Sequence, residues 1–382
     1  MRANEAAALA DLVFQQVEGR PITDDLRSRL AGRVPALGLA SMVPLMASLV
    51  RDPLHSSAYY VAIDSGTEGS TTGLLLYLTL ASAPSNQTFP RSILIGRMRP
   101  GGTREIVVSA IPFSFSDYDN ISAFVDRIDP SIALRPQGSQ SSLTVEIERS
   151  ATDLSAAFEG FRQIRRSTGA NVAAVSPLWG GPAVLKETRL VALWAAVRSG
   201  WRSGLSVCTP SINIDPDGEP SEGFDGVREM IRYASENTRF GVTLPAVSAE
   251  CLGAAEEIYQ LINHSKAASH SRQFDFEVTF AESASPTSAD DLKSCLQFLR
   301  DRNCSVQFSA PCLGPPDRMV AAAAELSVVS RSFGATLSFT ASGLDAALLR
   351  QMGRATGGRA NCRISSGADA ESMVFLSQSL RS

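Results

Sequence analysis

Residues 154–207, LSAAFEGFRQIRRSTGANVAAVSPLWGGPAVLKETRLVALWAAVRSGWRSGLSV, read as helix, strand, linker, helix, strand, and this reading decides the fold. Leu154, Phe158, Phe161 and Arg165 fall at i, i+4, i+7 and i+11, so three apolar groups share one helical face before the charged end. Asp153 suits the N-cap of that helix and Gly169 its end. The apolar run at 172–175 is short enough for a strand buried on both faces. Pro177, Gly180, Gly181 and Pro182 then break the chain. Leu190, Leu193, Trp194, Val197 and Trp201 form the next helical stripe, with Arg198 and Arg202 turned away from it. Gly204 closes that helix, and residues 205–207 return as a strand. A βαβ unit is the simplest account.

The same grammar continues to the C-terminus. Candidate strands lie at 172–175, 205–207, 240–244, 274–280, 305–308, 335–339 and 361–364, with helices centred on Trp194, Ile231, Ile258, Phe298, Leu326 and Leu348. One more strand, from 106–110 or 143–147, brings the series to the eight of a closed (β/α)8 barrel. An open doubly wound sheet is the alternative, but no glycine-rich fingerprint follows these strands as dinucleotide binding would require. Upstream the pattern changes. Residues 5–17 and 22–30 read as amphipathic helices, the second with Asp24 and Asp25 in its first turn. Apolar or alternating runs at 59–63, 74–80, 92–95, 106–110 and 143–147 then alternate with Gly, Pro and Ser turns. A single helix at 119–127 puts Ile121, Phe124, Val125 and Ile128 on one face. The predicted class is α/β: a helical N-terminal segment over 1–57, a β-rich N-terminal subdomain over 58–150 that contributes to the barrel, and a (β/α)8 TIM-like barrel region over 151–382.

At 382 residues the chain has ample core for one large α/β domain and a smaller one. A formal charge of -4 with 19% charged residues leaves no basic stripe, which argues against nucleic acid as a partner. No apolar run reaches the roughly 18 to 20 residues needed to cross a bilayer. Glu5, Asp11 and Glu18 make the first residues unlike a secretory leader, so no membrane partner and a cytoplasmic location are expected. The six cysteines are scattered singly without a C-x-x-C pair, as expected of buried free thiols.

Chemical signatures are sparse. The three histidines are His55, in a turn-like stretch, and His264 and His270, whose spacing fits neither i, i+4 on a helix nor i, i+2 on a strand, so both are expected in a polar surface loop. No H-E-x-x-H, G-x-S-x-G or Walker lysine loop occurs. The loop from Asp64 to Thr71 is similar to the first phosphate loop of the sugar-kinase and actin-like ATPases, because backbone N–H groups in a Gly-rich turn can face phosphate oxygens. No second phosphate loop follows, and a Gly/Ser/Thr hairpin is the simpler reading. In the strand at 274–280, alternation sets Asp275, Glu277 and Thr279 opposite Phe274, Phe276, Val278 and Phe280. Glu277 pointing into a barrel, its pKa raised by burial, would suit a general acid or base; the alternative is a carboxylate paired with an arginine or facing water. Glu282, just past the strand end, has the more typical position for a barrel active site.

Several stretches, in order, carry a resemblance: Ala110 to Phe113 with Asp119 to Ile121, Arg135 to Ser139, Ala157 to Arg162, Thr168 to Asn171, Leu193 to Arg202, Phe276 to Val278 with Glu282, Pro286-Thr287, Ala310-Pro311 and Gly357-Gly358. Through them the chain resembles the tagaturonate/fructuronate epimerase family of metal-dependent sugar-acid epimerases, over roughly residues 104–380. The resemblance implies a barrel and a divalent metal held by histidines. Position by position, the family's Asp-His pair falls where this chain reads Cys208 to Asn213, a later His where it has Thr340, and another where it has Asn361, with Arg363 near the family's lysine; Ala281 replaces a usual Asp, while Glu277 is retained. Thr and Asn are poor substitutes for imidazole. The expectation is the family's fold without metal, cofactor or metal-dependent epimerisation, with Arg135, Gln137, Asn171, Arg202, Glu277 and Arg363 lining a mouth whose guanidiniums suit a carboxylate or phosphate. A sugar acid or similar small carbohydrate ligand, or a role as partner subunit, follows, with homo-oligomerisation compatible. An active isomerase using Glu277 or Glu282 is the second reading, and a phosphotransferase using the loop at Asp64 the third. Arg202 and Arg363 beside Glu277 would mark a working mouth, whereas Ile212, Phe339 and Leu344 would plug it.

Overall fold

The computed structural model describes residues 42–52, 57–64, 73–80, 93–98, 105–113, 117–146, 171–175, 182–268, 273–283, 285–341 and 343–365. These divide into two units: Met1–Ala133 with Leu190–Ser203, and Leu134–Arg189 with Gly204–Ser382. The helices expected at 5–17 and 22–30 lie outside the described residues.

The first unit holds an antiparallel sheet of β1 (Met42–Asp52), β2 (Ser57–Asp64), β3 (Gly73–Leu80), β4 (Ile93–Met98) and β5 (Ile106–Pro112), in the order β1-β2-β3-β5-β4. Strand β1 corrects the helical assignment for its own residues, 42–52. Its apolar run pairs with β2 from Met42↔Asp64 to Asp52↔Ser57, and long-range pairing of this kind overrides local helix propensity. β2 and β3 form the expected hairpin, paired from Ser57↔Thr79 to Ile63↔Gly73, while residues 65–72 of its loop lie outside the described residues. Helix α1 (Tyr118–Arg127) buries Ile121, Phe124 and Val125, and Phe124 meets Phe113 and Tyr59 edge-on at 5.6 and 6.4 Å. The buried Trp194 donates from Nε1 to the carbonyl of Phe113 at 3.2 Å.

The second unit is mixed α/β around a parallel, barrel-like sheet. Its elements are β6 (Ser142–Glu146), β7 (Asn171–Val175), α2 (Pro182–Ser199), β8 (Ser206–Asn213), α3 (Gly223–Tyr233), β9 (Arg239–Leu244), α4 (Ala249–Ala268), β10 (Asp275–Phe280), α5 (Ala289–Asp301), β11 (Phe308–Ala310), α6 (Pro316–Ser332), β12 (Thr336–Thr340), α7 (Ala346–Ala355) and β13 (Ala360–Ser365). Hydrogen bonds link the strands in the cyclic order β10-β11-β12-β13-β6-β7-β8-β9, with β9 paired to β10. The run at 143–147 therefore supplies the further parallel strand, and the run at 106–110 stays in the antiparallel sheet. Described helices follow β7 through β12, while residues 147–170 and 366–382, including the helix expected after Asp153, lie outside the described residues. β6 and β7 belong with this unit, so the division of the chain falls at Ala133 rather than at 150, and α2 is shared at Arg189.

Local chemistry explains the elements. Ser288 caps α5 by accepting from the Asp291 amide at 3.0 Å, Asp290 and Asp291 suit its positive end, and Leu292, Cys295, Leu296 and Leu299 form its buried stripe. Asp345 caps α7 in the same way through Leu348. On β10 the alternation holds: Phe274 and Phe276 meet Tyr259 of α4 at 5.2 and 5.1 Å, so the apolar face packs on the helix and the other face turns inward. Full burial of Phe276 alone contributes about 1.5–3 kcal/mol. β8 runs past its expected end at 207 to Asn213, its register with β9 shifting between Cys208 and Ser211, an irregularity that accommodates Pro210. β11 starts later than expected because its sheet bonding begins at Gln307, whose amide donates to the Phe276 carbonyl and whose carbonyl accepts from Thr336. His264 sits on α4, exposed, rather than in a loop, and His55 and His270 lie outside the described residues. None of the six cysteines is in a disulfide, and all are buried except the half-buried Cys312.

Candidate functional site

Inward-facing positions of β6, β9, β10, β12 and β13 converge on a buried polar cluster centred on Glu277. Its Oε2 accepts from Arg239 Nη2 at 2.8 Å and from Arg363 Nη2 at 2.5 Å. Arg239 is only 1% exposed, Glu277 4% and Arg363 25%, so the trio runs from the deep interior toward solvent and Arg363 is its outer member. The Arg239 guanidinium stacks 3.6 Å from the centre of the buried Phe308 ring, which supports it where water cannot. A guanidinium can only donate, and this fixes the Asn361 amide with its oxygen toward Arg239 Nη2 at 2.9 Å. The amide nitrogen then donates to Ser142 Oγ at 2.6 Å and Thr144 Oγ1 at 2.9 Å. A buried charge left unpaired would be costly, and these partners are how the strands hold three of them.

The electrostatics decide between the two roles open to Glu277. Burial by itself pushes the Glu277 carboxyl up, but the Arg239 and Arg363 guanidiniums outweigh it and bring the pKa down from 4.5 to about 2. Glu277 is therefore a permanent carboxylate at neutral pH and a weak base, not the raised-pKa acid that burial alone would give. Asp275, two residues earlier, goes the other way: burial raises it, opposed by the amides of Gln137 and Gly138, which donate to its two oxygens at 2.6 and 3.0 Å. Cys208, buried beside this cluster, is pushed up to about 11 by burial and is no nucleophile.

Beyond Arg363, at the C-terminal ends of β10 to β13, opens a cleft of about 630 Å³. Its lining includes Arg363, Thr279, Ser338 and Thr340, the apolar residues Phe280, Pro311, Leu313 and Phe339, and also Glu282, Ser283 and Cys312. Thr279 is one of the lining residues, but its Oγ1 is buried and has no hydrogen-bond partner among the described residues. Active sites of barrel enzymes sit at this end of the strands.

The residues singled out from sequence separate into groups. Arg363 and Glu282 reach the cleft, and Glu277 lies beneath it holding Arg363. Gln137 is fastened to Asp275, the first residue of β10, and so belongs at the opposite end of the strands. Arg135, whose amide donates to the Leu205 carbonyl just before β8, lies at that end as well. Asn171 begins β7, paired with Ser142. Arg202 belongs to the first unit, where it is tied to Asp129 at 2.8 Å. The expected single mouth set is thus divided, because Gln137, Asn171 and Arg363 are alike in sequence as polar groups near strands and only the common strand direction tells the two ends apart. Phe339 walls the cleft without filling it. Arg239 was missed; its one sequence signal was a charge at the head of the apolar run at 240–244.

Among the described residues no group of three or more His, Cys, Asp or Glu is placed to hold a metal ion. Among the described residues the cleft lining offers one carboxylate, one thiol and hydroxyls beside a guanidinium, a donor set that does not fit a divalent cation.

No protein-family model matches the chain, and no curated protein matches it. Solved structures do. Fructuronate-tagaturonate epimerase UxaE from Cohnella laeviribosi, crystallised with one glycerol, is 14% identical, with a TM-score of 0.59 over 87% of this chain and 74% of its own. The same enzyme with two glycerols gives 0.57 over the same shares, and its native form gives 0.56 over 88% and 74%, both again at 14% identity. The two proteins share a fold. At this identity the likeness is a distant structural relationship, and function has to be argued from the site. Among the described residues no helix is long and apolar enough to cross a membrane.

Proposed function

We propose that this chain is a (β/α)8 relative of the fructuronate-tagaturonate epimerases that binds a small carboxylate at the ends of β10 to β13, without metal-dependent epimerisation. The observation that carries this reading is Arg363: its guanidinium is held from below by Glu277 and lines the cleft. A planar fork fixed in this way suits a carboxylate, and its orientation is set before the ligand arrives. The donor set among the described cleft residues favours a ligand held by Arg363 rather than by a metal, and Glu277, anchored and weakly basic, serves as a positioning residue for Arg363. The fold relationship makes hexuronates the first ligands to test.

The test is calorimetric titration with D-glucuronate, D-galacturonate and simple monocarboxylates, alongside metal analysis of the purified protein and an epimerase assay. The reading expects binding of at least one acid, weakened about tenfold or more (about 1.4 kcal/mol) in Arg363→Met and less in Arg363→Lys, with both variants folded by circular dichroism. Unchanged binding in Arg363→Met, or stoichiometric bound zinc, nickel or manganese together with hexuronate turnover, would overturn it.

A further inference from the structure

We propose that the second unit carries a docking surface at the starts of β11, β12 and β13, the end opposite the cleft, and that its partner is an acidic peptide segment of another protein anchored by an apolar side chain. The surface does not depend on the carboxylate site.

Its charge comes from the three connections that lead into these strands. Arg300, Arg302, Arg331, Arg354 and Arg359 are all exposed there, and Asp301 is the one acid among residues 300–307, 331–335 and 354–359. Favourable placement at the negative ends of α5, α6 and α7 accounts for Arg300, Arg331 and Arg354, but Arg302 and Arg359 lie beyond the helical residues. Arg302 is already paired with Glu256 at 2.8 Å. The other four form no ion pair with a carboxylate among the described residues. Arg331 donates to the Thr356 carbonyl at 2.8 Å and Arg359 to that of Ser139 at 3.4 Å, so each is steadied by the neighbouring connection. A guanidinium has five N–H donors, and one such bond leaves the rest for carboxylates arriving from outside. Because the arginines are spread over residues 300–359, no basic stretch of the chain announces them.

The apolar part is a pocket of about 290 Å³ lined by Leu296, Cys304, Val306 and Phe333 together with the polar Arg300, Asn303 and Ser305. The Arg300 guanidinium lies 4.6 Å from the centre of the Phe333 ring, so charge and carbon meet at the pocket itself. This space falls short of the roughly 300–1,000 Å³ of small-molecule sites and suits a single side chain. Val328, 59% exposed, stands three residues before Arg331 on the same face of α6 and adds an apolar contact within the basic region. A nucleic acid would use the arginines and leave the carbon unused, whereas an acidic segment carrying a leucine or phenylalanine uses both.

The test is fluorescence anisotropy on the full chain with a labelled acidic octapeptide of glutamate and aspartate around a central leucine and phenylalanine, and with the same peptide carrying two serines at the centre. The first should bind, more weakly as salt rises. The second should bind about tenfold or more weakly, for want of a buried apolar side chain. Arg331→Glu and Arg354→Glu, each checked for folding by circular dichroism, should weaken the first peptide about fivefold or more. Arg318→Glu makes the same charge change at the other end of α6 and should leave binding unchanged. Arg354 takes no part in the bond to Thr356, so its variant keeps the test decisive if Arg331→Glu fails to fold. No binding of the first peptide at low salt, equal binding of the second, or an equal loss in Arg318→Glu overturns the proposal. Displacement of the label by a DNA duplex at a lower concentration than by unlabelled peptide overturns a protein as the partner.

Discussion

Replacing Glu277 with Gln keeps the side chain's shape and removes its charge, so that Arg239 and Arg363 lose the carboxylate both donate to. Removing one partner of a buried ion pair typically costs about 3–5 kcal/mol. Linkage gives a separate figure: a carboxyl lowered from 4.5 to about 2, at about 1.4 kcal/mol per pH unit, contributes about 3 kcal/mol. For a unit of this size, 1 kcal/mol moves Tm by about 2–4 °C, so Glu277→Gln should melt roughly 6–20 °C below the wild type at pH 7. The sign with pH follows from the direction of the shift. Because the folded pKa lies below the unfolded one, the contribution is complete above pH 4.5 and is lost as the pH falls through 2. The gap between the two proteins should therefore be widest near neutrality and close on acidification. Thermal melts by circular dichroism at several pH values between 3 and 7 measure it. A variant within 2 °C of the wild type at pH 7, or a gap that grows with acid, would refute the assignment of Glu277 as the charge that binds the barrel interior together.

Two further outcomes follow from the opposite end of the strands. Asp275→Ala removes the acceptor of the Gln137 and Gly138 amides, which should cost about 1–3 kcal/mol and speed hydrogen exchange in a peptide covering residues 135–140; unchanged exchange would show that these bonds do not hold that segment. Gly204 has φ +80°, and a Cβ there would lie 2.0 Å from Arg135 Nε, so Gly204→Ala should lose about 1–3 kcal/mol in urea denaturation; a midpoint equal to the wild type would mean that neither the left-handed backbone nor the close approach is required.

Much of the second unit was legible in the chain because its elements obey periods. The stripe of α5 and the alternation of β10 put the right residues inside before any contact was known, including Asp275, Glu277 and Thr279 on one face. The site was legible only in part. Glu277 and Arg363 were both singled out, but the sequence left Glu277 two roles, a raised-pKa acid or base and a carboxylate paired with an arginine, and the structure shows the second. Burial is visible in an alternating strand, but the counter-charges are not. Arg239 is 38 residues away in sequence and directly beside Glu277 in space.

By itself the sequence determined the strand–helix alternation, the inward face of β10, the free thiols and the poverty of imidazole, all of which depend on residues near one another in the chain or on composition. The tertiary structure alone decided which strand joined β13 to β7, which polar residues lie at the cleft end and which at the other, and that a buried glutamate is held ionised. Those outcomes depend on strand direction and on pairings between distant segments. A side chain's charge state is set by what surrounds it in space.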